Sequence, residues 1–295
     1  MCQTVNTVTH FFLTLFTTIT TLRYTNSPVG IPLCGFPASI CISPNHVVCH
    51  GIPDETRMVK GDIVNVDVTT ISKEGWHGDT SKMWMIGYGA LHLEEYDIED
   101  PRLQQDDPYY ERAKLAAVTR DALFLGISVV RPGAELEAVG RIIKGYADKH
   151  GYAVVREFTG HGIGTKFHEV SRRTQLHAQC DTLSGPFAPL VLVPLLFTRV
   201  SCLQGPRVLH YPPLSSTRPT LLRAGMTMTI EPMLNSHAPD IITLADQWTV
   251  TTADQGDSAQ WEHTILVTEE GFEVLTLREG EEWPKRVLQI INDVL

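Results

Sequence analysis

The sequence predicts an α+β fold, and two observations carry that assignment. Three separated stretches, 63–69, 226–231 and 259–267, alternate apolar and polar side chains with the period of two of a half-buried strand. Between the first and second of them lie two consecutive amphipathic helices, near 109–130 and 135–150. With 295 residues the chain can bury one large core or two small ones. A net charge of −10 argues against phosphate backbones and anionic membranes as main partners. Six cysteines include no CxxC pair, which indicates neither a disulfide framework nor a structural zinc site and fits a reducing compartment.

Residues 1–23 contain FFLTLFTTITTL, an apolar, threonine-rich run shorter than the ~20 residues of a membrane helix. No Lys or Arg precedes it, as a signal peptide would require, so an atypical N-terminal segment is expected. Pro and Gly between Tyr24 and Pro37 predict a loop. Ser39–Cys49 reads as two short strands around Pro44-Asn45, closing on His50-Gly51-Ile52-Pro53. In IVNVDVT (63–69), Val64, Val66 and Val68 share one face and Asn65, Asp67 and Thr69 the other. Lys73-Glu74-Gly75 supplies a turn, and the returning strand brings Asp79 alongside Asp67.

Residues 94–108 are acidic and polar, a surface connection. Ala113, Ala116, Ala117, Leu123 and Phe124 stripe the first helix; Leu136, Val139, Ile142, Ile143 and Tyr146 stripe the second, which stops at His150-Gly151. A strand, YAVVREF, then leads into Thr159-Gly160-His161-Gly162-Ile163-Gly164. That glycine spacing is like a phosphate loop, but no strand–loop–helix unit with a Lys-Ser/Thr pair follows, which excludes it. Met226–Glu231 sets Thr227, Thr229 and Glu231 on one face. Ala259–Val267 sets Glu262, Thr264 and Leu266 against Trp261, His263 and Ile265, and Trp248 lies in a further alternating stretch. The tail, 279–295, is polar and then weakly amphipathic, with no chemistry assigned to it.

Asp67, Asp79, Glu231 and Glu262 are therefore each an acid on a strand otherwise built from apolar residues and threonine, and His161 stands at a glycine turn. Ionising several carboxylates together in such a setting is costly, so protons or cations must lie among them. Two divalent cations would cancel four negative charges, and a neutral imidazole would add a nitrogen ligand. Hard oxygen donors with one His suit Mn, Fe(II), Co or Zn in a paired site. Any one of these acids is equally a solvent-facing side chain on a hairpin; the set carries the reading.

In CHGIPD (49–54), GDIVNVDVT (61–69), HGDTSKM (77–83), GHGIG with FHE (160–169), TIEPM (229–233) and AQWEHT (259–264), the chain resembles the type I methionine aminopeptidases of the pita-bread fold. The likeness runs from about Ser27 to Arg278, which sets a catalytic domain at 24–278. It implies two similar halves, an antiparallel sheet with helices on its outer face, and a pair of divalent ions. Asp67 then binds one ion with both oxygens, Asp79 and Glu262 bridge the pair, and His161 and Glu231 hold the second. A hydroxide held between the ions attacks the carbonyl of an N-terminal methionine whose neighbour is small, and Glu231 shuttles the proton. His50 and His168 flank the scissile amide. Cys41, Phe167 and Trp248, with Phe36 a lesser candidate, line the methionine slot; each is equally an ordinary core residue. The implied partners are nascent polypeptide N-termini, at the ribosome or away from it, met by a monomer in the cytoplasm or an organelle, with no nucleic acid and no membrane. The alternatives are an Xaa-Pro aminopeptidase or dipeptidase of the same fold, a metal-free interaction protein on that scaffold, and a non-functional mis-spliced product.

Two departures stand out. Val170–Gln204 separates FHE from GPRVLHY, and deleting it restores the family pattern without a gap. Its first pair, Val-Ser, and its last, Leu-Gln, are codable as intron boundaries, and the Pro, Leu, Val, Phe and Thr before the end as a pyrimidine tract. A retained intron is therefore the hypothesis, with a substrate-side loop as its rival; mature transcripts that all carry the segment would refute it. Residues 1–23 are also too short and too β-branched for the helical pair the resemblance implies over the first half, so Val64, Val66 and Val68 are expected to lose their cover. A chain so altered is expected to be poorly soluble or weakly active.

Overall fold

The computed structural model describes residues 35–87, 109–169, 207–213 and 219–294. The N-terminal segment 1–23, with the question of a first-half helical pair, and the insert 170–204 lie outside these residues. Among the described residues, four three-stranded antiparallel sheets carry the site. In the first, β3 (Ile63–Ile71) lies between β1 (Cys41–Pro44) and β4 (His77–Met85). The β3–β4 hairpin pairs along its whole length, from Ile63 opposite Met85 to Ile71 opposite His77. Its alternation does what the sequence predicts: Val64 and Val66 are buried with Ile40, Ile42 and Met58, while Asp67 and Thr69 turn to the opposite face. Val68 is only partly buried at the edge of the same cluster.

The helices are α1 (Tyr110–Ser128) and α2 (Glu137–Lys149). α1 is buried along most of its length, from Leu115 to Ile127, because it is packed from several sides. Trp261 reaches it from the sheet and donates its Nε1–H to Ala116 O at 2.9 Å. On its other side Gly126 brings α2 close: a Cβ there would come within 2.8 Å of Ile143.

The second half breaks where the sequence reads as continuous. Met226–Glu231 gives β6 (Thr227–Ile230), and after Glu231-Pro232 the chain resumes as β7 (Met233–Asn235). Ala259–Val267 is likewise two strands, β10 (Ser258–Gln260) and β11 (His263–Val267), interrupted at Trp261-Glu262. Both ladders keep one register: His263 faces Ile230, Gln260 faces Met233, and so Glu231 and Glu262 stand opposite each other in the gap between them. Pro232 has no N–H to donate, and the N–H groups of both acids are taken elsewhere, Glu231 N by His210 Nε2 (3.2 Å) and Glu262 N by Ser81 O (3.1 Å). β7 also pairs with β5, which is only Ala153–Val154 and shorter than the YAVVREF strand expected. The remaining strands are β2 (Val47–Cys49), β8 (Ile241–Thr243), β9 (Val250–Thr252) and β12 (Phe272–Val274).

The tail packs against the rest of the chain. Trp283 meets Phe124 at 5.0 Å between ring centroids, Val287 of α3 (Lys285–Val294) is fully buried, and Arg286 pairs with Asp121 at 3.3 Å. No helix among the described residues is long and apolar enough to cross a membrane.

Candidate metal centre

Thr69 lies opposite Asp79 and Ser81 opposite Asp67 on β3–β4, so the two aspartates sit diagonally on one face. An isolated bridge between Ser81 and Glu262 then joins this hairpin to the other half. Thr264 closes the seam beside it: its hydroxyl accepts the Asp79 N–H (3.1 Å) and donates to Asp79 O (2.8 Å). As a result, one oxygen from each of Asp67, Asp79 and Glu262 lies within 4.8 Å of the other two. The glycine turn supplies the fourth and fifth groups: His161 Nε2 is 3.8 Å from Asp79 Oδ2 and 3.8 Å from Glu231 Oε1. All five side chains singled out in the sequence converge.

Their orientations are fixed from outside. Thr69 Oγ1 donates to Asp79 Oδ1 (2.8 Å) and Thr229 Oγ1 to Glu231 Oε1 (2.8 Å), while Gln260 Nε2 reaches Glu231 Oε2 at 3.4 Å. His161 Nδ1 bonds to Gly162 O at 3.1 Å, which places the proton on Nδ1 and turns the Nε2 lone pair towards the acids. Gly160 permits this turn, since a Cβ there would fall 2.2 Å from Thr229 O.

Electrostatically the cluster is unfinished. Burial, reinforced by Asp79, holds Asp67 well above the usual carboxylate range. Burial and the neighbouring acids do the same to Glu231 and Glu262, and burial pushes Asp79 up to about 7 against the hydrogen bonds from Thr69 and Thr80. His161 is lowered to about 4 by burial and by His168, so its imidazole is neutral. Asp67 Oδ1 is shielded from solvent without a hydrogen-bond partner. The Arg278 charge lowers Glu262 only in part against burial and the neighbouring acids. Acceptors that face one another with no donor between them are the chemistry of a cation site, and the donor set fits divalent metal.

Around it, His168 meets His161 edge to face at 4.2 Å, and Phe167 lies 4.4 Å from His168 and 5.2 Å from His161, centroid to centroid. His50 sits at φ +54 with its ring edge-on to Phe158 at 5.3 Å, and burial and His168 lower it to about 4. Cys41 pairs with Asp67 across β1–β3, and burial and that carboxylate push its thiol up. Trp248 and Phe36 form their own edge-to-face pair at 5.4 Å, and the described ring contacts and hydrogen bonds link that pair to none of the five.

Sequence reasoning passed over several contributors. Thr69 and Thr229 were within reach, since each shares a face with the acid it serves. His210, fully buried and accepting the Glu231 N–H, lies in the GPRVLHY stretch where the family pattern resumes, but nothing in that stretch assigns it a role. His77 bonds Gly164 O through Nδ1 (3.0 Å) and packs 6.1 Å from Phe167, and only the register of β4 reveals it.

A sheet-borne acid cluster with one imidazole defines a metal-dependent hydrolase, and the family comparison agrees: the model for metallopeptidase family M24 matches residues 29–269. The chain belongs to that family. Within it, the chain is 41% identical over 251 residues to the methionine aminopeptidase of Salmonella typhimurium, covering 85% of this chain and 74% of that one. It is 39% identical over 276 residues to the methionine aminopeptidase of Rickettsia prowazekii, covering 93% and 82%. The crystal structure of methionine aminopeptidase from R. prowazekii aligns with a TM-score of 0.68 over 92% of this chain and 87% of that one. The structure from Thermotoga maritima, 29% identical, gives 0.63 over 88% and 80%. The α+β pita-bread fold expected from the motifs is the fold found.

Proposed function

We propose that this chain is a methionine aminopeptidase that releases the N-terminal methionine of polypeptides, with two divalent ions at the five-residue centre. The observation that carries this reading is the convergence of Asp67, Asp79 and Glu262 within 4.8 Å, with His161 Nε2 3.8 Å from both Asp79 and Glu231. Asp67, Asp79, His161, Glu231 and Glu262 would hold those ions. The donor chemistry suits Mn, Fe(II), Co or Zn. Bound ions supply Lewis acidity at the scissile carbonyl and acidify a water to serve as nucleophile.

The chain's own side chains do the rest. Glu231 takes up and passes on a proton at a carboxylate that Thr229 and Gln260 hold still. His50 and His168 are both lowered by burial, so neutral imidazoles flank the amide and offer hydrogen bonds without adding repulsive charge. Cys41 and Phe167 supply an apolar, polarisable wall for a thioether, and Trp248 and Phe36 extend it. The substrate class is nascent chains with a small second residue.

Hydrolysis of Met-Ala-Ser by the chelated and then Mn-reconstituted chain tests this. Release of methionine that chelation abolishes and Mn restores is expected. Preferential cleavage of Xaa-Pro peptides would overturn the methionine assignment, and cleavage unaffected by chelation would overturn the metal centre.

A further inference from the structure

Arg278 follows β12, and its guanidinium reaches back to the seam behind the acids. Nη2 donates to Thr80 Oγ1 (2.9 Å) and to Ser81 O (2.7 Å). Nη1 donates to both carboxylate oxygens of Glu281, at 2.8 and 3.0 Å. The two atoms gripped by Nη2 are the ones that dock Glu262 onto β4: Thr80 Oγ1 donates to Glu262 O (2.8 Å), and Ser81 O accepts the Glu262 N–H (3.1 Å). Thr80 and Ser81 directly follow Asp79. One planar group therefore grips the β4 side of the junction across which Asp79 and Glu262 face each other and, through Glu281, reaches His263 on the other side.

Glu281 is itself fixed. Its side chain is shielded from solvent, it accepts the Arg278 N–H (3.1 Å), and it lies 3.3 Å from His263 Nε2, on the residue after Glu262. The guanidinium carbon lies 5.8 Å from the centre of the Trp261 ring, on the residue before it. A buried ion pair is seldom more stable than apolar packing of the same volume. Two of its four directed hydrogen bonds fix Thr80 and Ser81 at the junction and the other two hold Glu281, which marks geometry as its contribution.

We propose that Arg278, braced by Glu281, is a positioning residue that sets the spacing of Asp79 and Glu262 and thereby the affinity for the metal ions those two acids share. This rests on the five-residue cluster being a metal centre. Lysine cannot replace it, because a point donor cannot serve the Thr80–Ser81 side and Glu281 together.

Calorimetric titration of the metal-stripped full chain with Mn²⁺ alone, in the wild type, Arg278→Lys, Arg278→Gln and Thr80→Val, decides the matter. The expected result is a loss of ~10–100-fold in affinity for at least one Mn²⁺ in all three variants, with far-UV circular dichroism unchanged. Wild-type affinity in Arg278→Lys would show that charge alone suffices and would overturn the positioning role. Should the Arg278 variants fail to fold, Thr80→Val carries the test, and wild-type affinity there has the same consequence. A wild-type chain that binds no Mn²⁺ overturns the metal centre and this proposal with it, whereas tight wild-type binding with unaltered variants removes the proposal alone.

Discussion

Thr229 shows how much a single hydroxyl does in this site. It accepts the His161 N–H at 3.0 Å and donates to Glu231 Oε1 at 2.8 Å, so one side chain sets the orientation of two of the five converging groups. Partners of this kind are worth ~10–100-fold in metal affinity or activity. Thr229→Val is therefore expected to weaken Mn²⁺ binding by about that factor while leaving the melting temperature of the metal-stripped protein within a few degrees. Unchanged affinity would show that the hydroxyl serves packing only. The pKa shifts supply a second expectation. Protons on raised carboxylates compete with cations, and His161, lowered to about 4, has none to lose near neutrality. With all four acids raised, Asp79 to about 7, ion affinity should climb with pH through neutrality, with net proton release on binding near pH 6. Calorimetry in buffers of different ionisation heat reads this directly, and binding without proton release would contradict it. At this scale the sequence was most legible. An acid among apolar alternating residues is conspicuous, whereas His210 looks like any core histidine until the fold brings it to the Glu231 amide.

The elements place these groups by breaking as well as by pairing. Alternation runs unbroken through Met226–Glu231 and Ala259–Val267, so the sequence predicts continuous strands. The ladders nonetheless stop at Glu231 and Glu262, where the backbone amides turn to His210 and Ser81. Periodicity reports which face a side chain takes, not whether its amide is paired in the sheet, and that is why the interruptions were hidden. The glycine turn is the converse case, legible as a turn but silent about what it approaches. Gly160 exchanges both backbone hydrogen bonds with Val208, and a Cβ on it would meet Thr229 O at 2.2 Å. Gly160→Ala must push the His161 turn away from β6. The variant is expected to lose Met-Ala-Ser hydrolysis by ~10²-fold, as misplacing catalytic groups by about 1 Å does, and full activity would show that the turn adapts. His50 faces a similar constraint, since a Cβ on neighbouring Gly51 would fall 2.1 Å from Ile42 O.

For the molecule as a whole, the tail and the insert were the hardest parts to read. Weak amphipathicity concealed that Trp283 and Val287 join the main core, because the Phe124 face that receives them comes from a helix far away in sequence. The insert and the two residues after it lie outside the described residues, but Glu169 before it and Val208 after it do not. Glu169 N bonds to Gly162 O (2.8 Å), and Val208 pairs with Gly160, two residues away on the same turn. The chain therefore leaves and re-enters at neighbouring points, which supports treating Val170–Gln204 as removable. Joining Glu169 to Gly205 is expected to raise soluble yield and Met-Ala-Ser turnover. Lower turnover in the deletion would instead favour a working substrate-side loop.

Everything else depends on whether these five side chains hold a pair of divalent ions. Native mass spectrometry of the metal-stripped full chain after Mn²⁺ addition counts them directly, with Asp67→Asn and Glu231→Gln alongside. Two ions on the wild type, and one or none on each variant, is the expected result. A wild-type chain that takes up no Mn²⁺, or variants that bind as many ions as the wild type, would contradict it.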